Sequence, residues 1–275
     1  MQGRALDVPP SSVMYDPRRT TLRFRLDSGE TLAALWLSLG SPAIAEMAGR
    51  ARPGVVVIDQ QHGLWDRPSL EAAIGLVPPD VPVMVRVGEL TPLAISAALD
   101  AGAEGVIVPL VETAVQARRA VRLARFPGAG GVRSGGGVRP LADFPGYFER
   151  ADRVVVAVMI ETERGVRNAH KIARAQGLDM VFIGTSDLAI SLRSFPAFDA
   201  RVLKACARIH RACAKAYLPC GIFTPGPDKA VLRNNHGYRM VVVGNDIDLI
   251  GRGMADAVKV FRRRRGARPE PGRDG

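Results

Sequence analysis

Eight short apolar runs, each followed by a helix-like pattern of about ten or more residues, constrain this chain more than any other feature. The runs are TLAALWLSL, GVVVIDQ, VPVMVRV, GVIVPLV, VVVAVMIE, MVFIGTS, CGIFT and MVVVGND, beginning near positions 31, 54, 81, 105, 154, 180, 220 and 240. Continuous apolar strands alternating with amphipathic segments imply parallel strands joined by crossover helices. Eight such units close a barrel, and the chain's 275 residues suit a (β/α)8 barrel with little left over. An open doubly wound sheet would carry a glycine fingerprint after its first strand, whereas that turn here reads SLGSPAIAE.

Local signals support the helices. Ser41-Pro42 opens one, Thr91-Pro92 opens a second that ends at Gly102, and Thr113 begins a third running towards Pro127. The expected organisation is a flexible segment over 1–20, one catalytic barrel over 21–262 and a basic, disordered tail over 263–275. The stretch 126–152 is far longer than an ordinary connection, and loops of that size tend to be functional or disordered.

Composition excludes several function classes. No run approaches the roughly 18 apolar residues of a membrane span, and the first residues lack the apolar core of a signal peptide, so a cytoplasmic protein is expected. Cys206, Cys213 and Cys220 are odd in number and lack a ligand pattern, which reads as buried free thiols. The net charge of +11 is scattered apart from Arg262–Arg265, so a nucleic-acid partner is not expected.

Catalytic groups of such barrels stand at the C-terminal strand ends. Four strands supply them here. The second ends Asp59-Gln60-Gln61-His62, the third carries Arg86, the fifth ends at Glu161 and the sixth at Gly184-Thr185-Ser186-Asp187. Glu161 and Asp187, on adjacent strands, form a pair of hard oxygen ligands suited to an octahedral cation such as Mg2+ or Mn2+, with positions left for a chelating 2-oxo acid. The bland alternative is that each carboxylate caps the following helix. His62, three residues after Asp59, suggests an acid–base dyad in which the carboxylate orients the imidazole. Arg86 lies within an apolar strand and must meet an anion, either a barrel-interior carboxylate or a substrate oxygen.

The motifs GSPAIAE at 40–46, IDQQHG at 58–63, VRV at 85–87, LDAGAEGVIVPLVETAVQA at 99–117, IET at 160–162 and GLDMVFIGTSDLAISL at 177–192 resemble those of the HpcH/HpaI aldolase/citrate lyase family, over roughly residues 21 to 262. The resemblance implies a barrel of the phosphoenolpyruvate/pyruvate type and a class II aldolase using Mg2+, Mn2+ or Co2+. It implies metal ligands at Glu161 and Asp187, a His62–Asp59 dyad, Arg86 on the enolate oxygen, and substrate contacts at Gly184, Ser186 and Gln61. The partners it implies are a pyruvate-like 2-oxo acid, an aldehyde, and further copies of the chain in a hexamer or trimer. A CoA-thioester lyase and a catalytically silent metal-binding relative are the alternatives. The chain departs from the family pattern at Thr185, where a Pro is usual, at Gln61 and Met159, and in the loops at 126–152 and 192–199.

Overall fold

The computed structural model describes residues 22–136 and 151–266, so the expectations for 1–20, for most of the long loop and for 267–275 lie outside the described residues. Strands β1 (Leu32–Leu37), β2 (Val55–Asp59), β3 (Val83–Arg86), β4 (Gly105–Val108), β5 (Val155–Ile160), β6 (Met180–Ile183), β7 (Cys220–Ile222) and β8 (Met240–Asn245) pair in chain order, all parallel, and β8 returns to β1. The expected eight-stranded closed barrel is therefore the observed fold. Closure leaves no sheet edge among the eight strands.

The helices form the outer ring: α2 (Pro42–Arg50), α3 (Arg67–Leu76), α4 (Pro92–Asp100), α5 (Ala114–Ala124), α6 (Glu163–Ile172), α7 (Thr185–Ser191), α8 (Ala200–Ala214), α9 (Pro227–Asn235) and α10 (Asp246–Gly266). A short α1 (Leu22–Asp27) precedes the barrel. Ser41, Thr91 and Thr113 each accept a backbone N–H from three residues on, which satisfies donors the first helical turn leaves free. Helix α10 extends through Arg262–Arg265 to Gly266, beyond the point where a frayed tail was expected. Arginine is a good helix former, so the basic run continues a helix already nucleated.

Two apolar cores share the sheet. One lies between strands and helices and collects Val56, Ile58, Val85 and Ile160 with helix residues such as Ile95 and Ile172. The other fills the barrel and takes the opposite phase of each strand, including Leu32, Ala34, Trp36, Val55, Val57, Met84, Val155, Ala157, Met159, Met180 and Phe182. Leu22 and Leu26 of α1 belong to this inner core and close the end where the strands begin, with the Leu22 N–H donating to Glu104 Oε2 at 2.7 Å. The opposite end stays open. The three cysteines are free and buried, as expected.

Phe182 is fully buried under Trp36, their rings 5.5 Å apart between centroids. Its truncation leaves a cavity in the middle of the inner core. Phe182→Ala is expected to lower unfolding free energy by about 3–5 kcal/mol, measured by urea denaturation.

Candidate active site

The inward phase that builds the inner core continues past the apolar layers to the open mouth, where it presents polar groups. Above Trp36 comes Ser38, above Val57 comes Asp59, above Met84 comes Arg86, above Met159 comes Glu161, and above Phe182 comes Gly184. A cavity of about 300 Å³ opens there, lined in part by Asp59, His62, Arg86, Met159, Ser186 and Asp187.

Register pairs Asp59 of β2 directly with Arg86 of β3. Arg86 Nε donates to Asp59 Oδ1 at 2.8 Å and Nη2 donates to Oδ2 at 2.5 Å, a two-pronged ion pair with both residues buried. Trp36 Nε1 and Ser38 Oγ also donate to Oδ2, and the backbone N–H groups of Gln61 and His62 donate to Oδ1. Burial alone would raise the Asp59 pKa. The hydrogen bond and charge of Arg86 outweigh it and, with Trp36 and His62 N–H, hold the group below its ordinary range. Among the described contacts Asp59 meets His62 through the backbone N–H, while Arg86 and the turn occupy its oxygens. Arg86 forms the interior ion pair that was one of its two expectations, and it also lines the cavity.

Glu161 follows β5 and is 1% exposed. Its Oε1 accepts the Leu110 N–H at 2.7 Å, while Oε2 is buried with no donor among the described residues, and the Asp187 carboxyl lies within hydrogen-bonding reach of the Glu161 carboxyl. Leu110 adopts a left-handed conformation, φ 55°, that a branched side chain resists, so backbone strain accompanies the donor aimed at this carboxylate. Burial pushes the Glu161 pKa from 4.5 up to about 7; the Leu110 N–H opposes the rise and the charge of Asp187 adds to it. Gly184 is required beside it, because a Cβ there would stand 2.5 Å from Glu161 Oε2 and 2.9 Å from Met159 Sδ.

Asp187 lies in the first turn of α7 and lines the cavity with Gly184, Thr185 and Ser186. The helix after β5 is capped by Thr162, not Glu161, and Arg164 pairs with Glu112 instead. The capping alternative for Glu161 is thereby removed. Among the described residues, no group of three or more His, Cys, Asp and Glu converges, so the candidate cation site consists of two carboxylates. An unpartnered buried carboxylate oxygen with a second carboxylate nearby is the chemistry of a hard divalent cation's donor set, and the residues present fit it.

The structure brings His62, Arg86, Asp59, Gly184, Ser186 and Asp187 onto one cavity, with Glu161 Oε2 beneath its Gly184 and Met159 wall. Gln61 lies in the tight turn after β2, where its backbone N–H donates to Asp59 Oδ1 at 3.0 Å. Thr185 donates its hydroxyl hydrogen to the Phe223 carbonyl at 3.2 Å, tying the end of β6 to β7. Met159 presents its sulfur to Arg86 Nη1 at 3.9 Å. Sequence reasoning missed the β1, β7 and β8 share of the cavity: Trp36, Ser38, Phe223, Asn245, Ile247 and Asp248. The signal was available in the polar endings WLS and NDID of the first and eighth runs.

Known proteins resemble this chain throughout the barrel. The family model described as HpcH/HpaI aldolase/citrate lyase matches residues 32–251. A hydroxypyruvate/pyruvate aldolase of Paraburkholderia phytofirmans is 34% identical over 253 residues, covering 88% of this chain and 97% of its own. A 4-hydroxy-2-oxovalerate aldolase of Rhodococcus jostii is 37% identical over 238 residues, 82% of this chain and 90% of its own. The crystal structure of an HpcH/HpaI aldolase/citrate lyase family protein from Burkholderia cenocepacia superposes with a TM-score of 0.83 at 34% identity, covering 88% of this chain and 98% of that one.

The raised Glu161 pKa has a stability consequence in the metal-free protein. A carboxyl whose folded pKa of about 7 exceeds its unfolded 4.5 contributes stability that is complete below pH 4.5 and lost as pH rises through 7. Glu161→Gln removes this titration. In EDTA the variant is expected to match the parent near pH 4.5 and exceed it at pH 8 by on the order of 3 kcal/mol, read from denaturation midpoints across that range.

Proposed function

The chain belongs to the HpcH/HpaI aldolase/citrate lyase family and is a carbon–carbon lyase of the aldolase kind, and from that premise we propose a divalent-metal-dependent aldol reaction between a pyruvate-like 2-oxo acid and an aldehyde. The observation that carries the metal reading is Glu161 Oε2, a buried carboxylate oxygen with no donor among the described residues, beside the carboxylate of Asp187. Glu161 and Asp187 would hold the cation, which when bound supplies a Lewis acid for the 2-oxo carboxylate and stabilises negative charge on its C2 oxygen.

The protein's own groups have separate tasks. Arg86 is held by Asp59 with its Nη1 edge facing, among the described residues, the weak thioether acceptor of Met159, so a guanidinium donor remains for the oxygen at C2 as charge develops there. The Ser186 hydroxyl and the backbone at Gly184 border the space for the substrate carboxylate. His62 stands on the cavity wall where it can give a proton to the oxygen of the aldehyde as the new carbon–carbon bond forms, and take it back in cleavage. Asp59 acts through Arg86 and the β2 turn, a positioning role that differs from the dyad expected from sequence.

We further infer a homo-oligomer. Ile247, Met254, Val258 and Phe261 form one stripe along α10 at helical spacing, and each is about half exposed or more, an apolar face suited to a second copy. Light scattering is expected to give a multiple of the 29.5 kDa chain, and a monomeric mass contradicts the inference.

Activity with pyruvate, an aldehyde panel and Mg2+, Mn2+ or Co2+ tests the reaction, with EDTA as control. Glu161→Ala and Asp187→Ala are each expected to lose EDTA-sensitive turnover by about a hundredfold or more while circular dichroism stays native. His62→Ala is expected to slow aldol turnover by about a hundredfold with pyruvate binding kept. Full activity in either carboxylate variant removes the ligand assignment.

A further inference from the structure

Charge that is dispersed along the sequence becomes local once the barrel closes. Helix α5 (AVQARRAVRLA) carries Arg118, Arg119 and Arg122 and no acid. In α6 (ERGVRNAHKI), Arg164, Arg167 and Lys171 stand against Glu163 alone. Helix α8 (ARVLKACARIHRACA) carries Arg201, Lys204, Arg208 and Arg211 and again no acid. All ten cations are exposed, and α6 packs against both α5 and α8, so the three helices form one continuous face of the outer ring. Ten cations against one carboxylate leave these helices a net +9, most of the chain's +11.

The spacing within the face is regular. Arg164, Arg167 and Lys171 follow one another at three and four residues, as do Arg201, Lys204, Arg208 and Arg211, so each set runs as a single stripe along its helix. Successive charges in a stripe lie about 5 Å apart along the axis, and neighbouring helix axes lie about 10 Å apart. Arg208 Nη2 donates to the Arg167 carbonyl at 3.4 Å, which sets the two stripes side by side. Glu163 pairs with Arg167 at 2.8 Å, and two carboxylates just outside the helices, Glu112 and Asp199, take Arg164 at 3.4 Å and Arg201 at 2.8 Å. The other seven cations have no carboxylate partner among the described residues. None of the stretches outside the described residues, 1–21, 137–150 and 267–275, carries a net negative charge that could neutralise the face. It stands over β4, β5 and β6, across the closed barrel from β8, β1 and α10, so contact between copies through the apolar stripe of α10 leaves it open.

Like charges gathered this closely repel one another, and a polyanion relieves that repulsion. We propose that the α5–α6–α8 face docks the phosphate backbone of duplex nucleic acid, without sequence selectivity and independently of the reaction at the mouth. Eight of the ten cations are arginines, whose planar fork of donors matches phosphate oxygens. The separation of about 10 Å between stripes is comparable with the ~6 to 12 Å widths of duplex grooves, so each stripe can follow one of the phosphate rows flanking a groove. No Phe, Tyr or Trp stands on these helices, so there is no stacking platform for unpaired bases and contact falls to the backbone. Val115 and Leu203 are their exposed large apolar residues, too little to insert into a lipid surface. The expectation of no nucleic-acid partner followed from dispersal of charge along the chain, which the fold reverses.

Anisotropy of a labelled duplex of about 30 base pairs, titrated with the full chain at about 0.05 M and about 0.2 M KCl, tests the proposal. The parent is expected to bind with a micromolar Kd at the lower salt and to lose about a hundredfold across that range, as about four phosphate contacts require. Lys171→Glu, Lys204→Glu and Arg211→Glu combined reverse three exposed charges that have no ion pair. That variant is expected to bind at least about thirtyfold more weakly at the lower salt, with the parent's melting temperature and aldol turnover kept. Arg262→Ser, Arg263→Ser, Arg264→Ser and Arg265→Ser combined, at the far end of α10, are expected to cost less than about threefold. Absence of binding at the lower salt, or a parent affinity unchanged between the two salts, overturns the proposal without recourse to any variant. An affinity indifferent to the triple reversal, or lost only with the α10 arginines, overturns it too, as does capture by phosphatidylglycerol vesicles in preference to duplex.

Discussion

The Asp59–Arg86 ion pair is the interaction on which the site depends. A guanidinium inside an apolar barrel is costly to bury, and a carboxylate beside it equally so; together, with four further donors on the carboxylate, each makes the other tolerable. The result is a permanent cation held in one orientation at the floor of the mouth. Its edge stacks near the Trp36 ring at 5.1 Å, so aromatic packing from β1 fixes what β2 and β3 pair. The same contacts pin the turn that carries His62, which makes one ion pair responsible for the placing of two proposed catalytic side chains.

Glu161 obeys the opposite logic. Where Asp59 is saturated and kept ionised, Glu161 has one oxygen satisfied by a strained backbone donor and one left bare, and its proton affinity rises. Two carboxylates on one rim thus differ by environment alone, one held ionised as a counter-ion and the other with its proton affinity raised by burial. Gly184 is part of that arrangement, since any side chain there would fill the space beside the bare oxygen.

The barrel was legible because its strands are apolar on both faces and its helix starts carry Ser41, Thr91 and Thr113 as caps, signals that are local in sequence. The site residues were legible for a related reason. Asp59, Arg86 and Glu161 share the inward phase of strands whose apolar layers end just below them, and period-two alternation can be counted without coordinates. The partner of Asp59 was not read, because spacing along the chain drew attention to His62 three residues away, whereas the register of adjacent strands places Arg86 opposite. The β8 contribution was missed for a similar reason: Asn245 and Asp248 come to the cavity only when the barrel closes and β8 lies beside β1.

Charge operates on two scales in this molecule, with opposite signs. The chain as a whole carries +11, and its field draws anions such as 2-oxo acids towards the surface from solution. The mouth of the barrel reverses that balance, with Asp59, Glu161, Asp187, Asp246 and Asp248 gathered around the single guanidinium of Arg86 among the described residues. An anion attracted by the exterior therefore meets a site whose described carboxylates oppose it, and the proposed cation between Glu161 and Asp187 would relieve that opposition. The Asp59–Arg86 pair is internally neutral and cannot supply that charge, so under the proposed metal-dependent reaction recognition of the 2-oxo acid and acquisition of a cation are one coupled requirement.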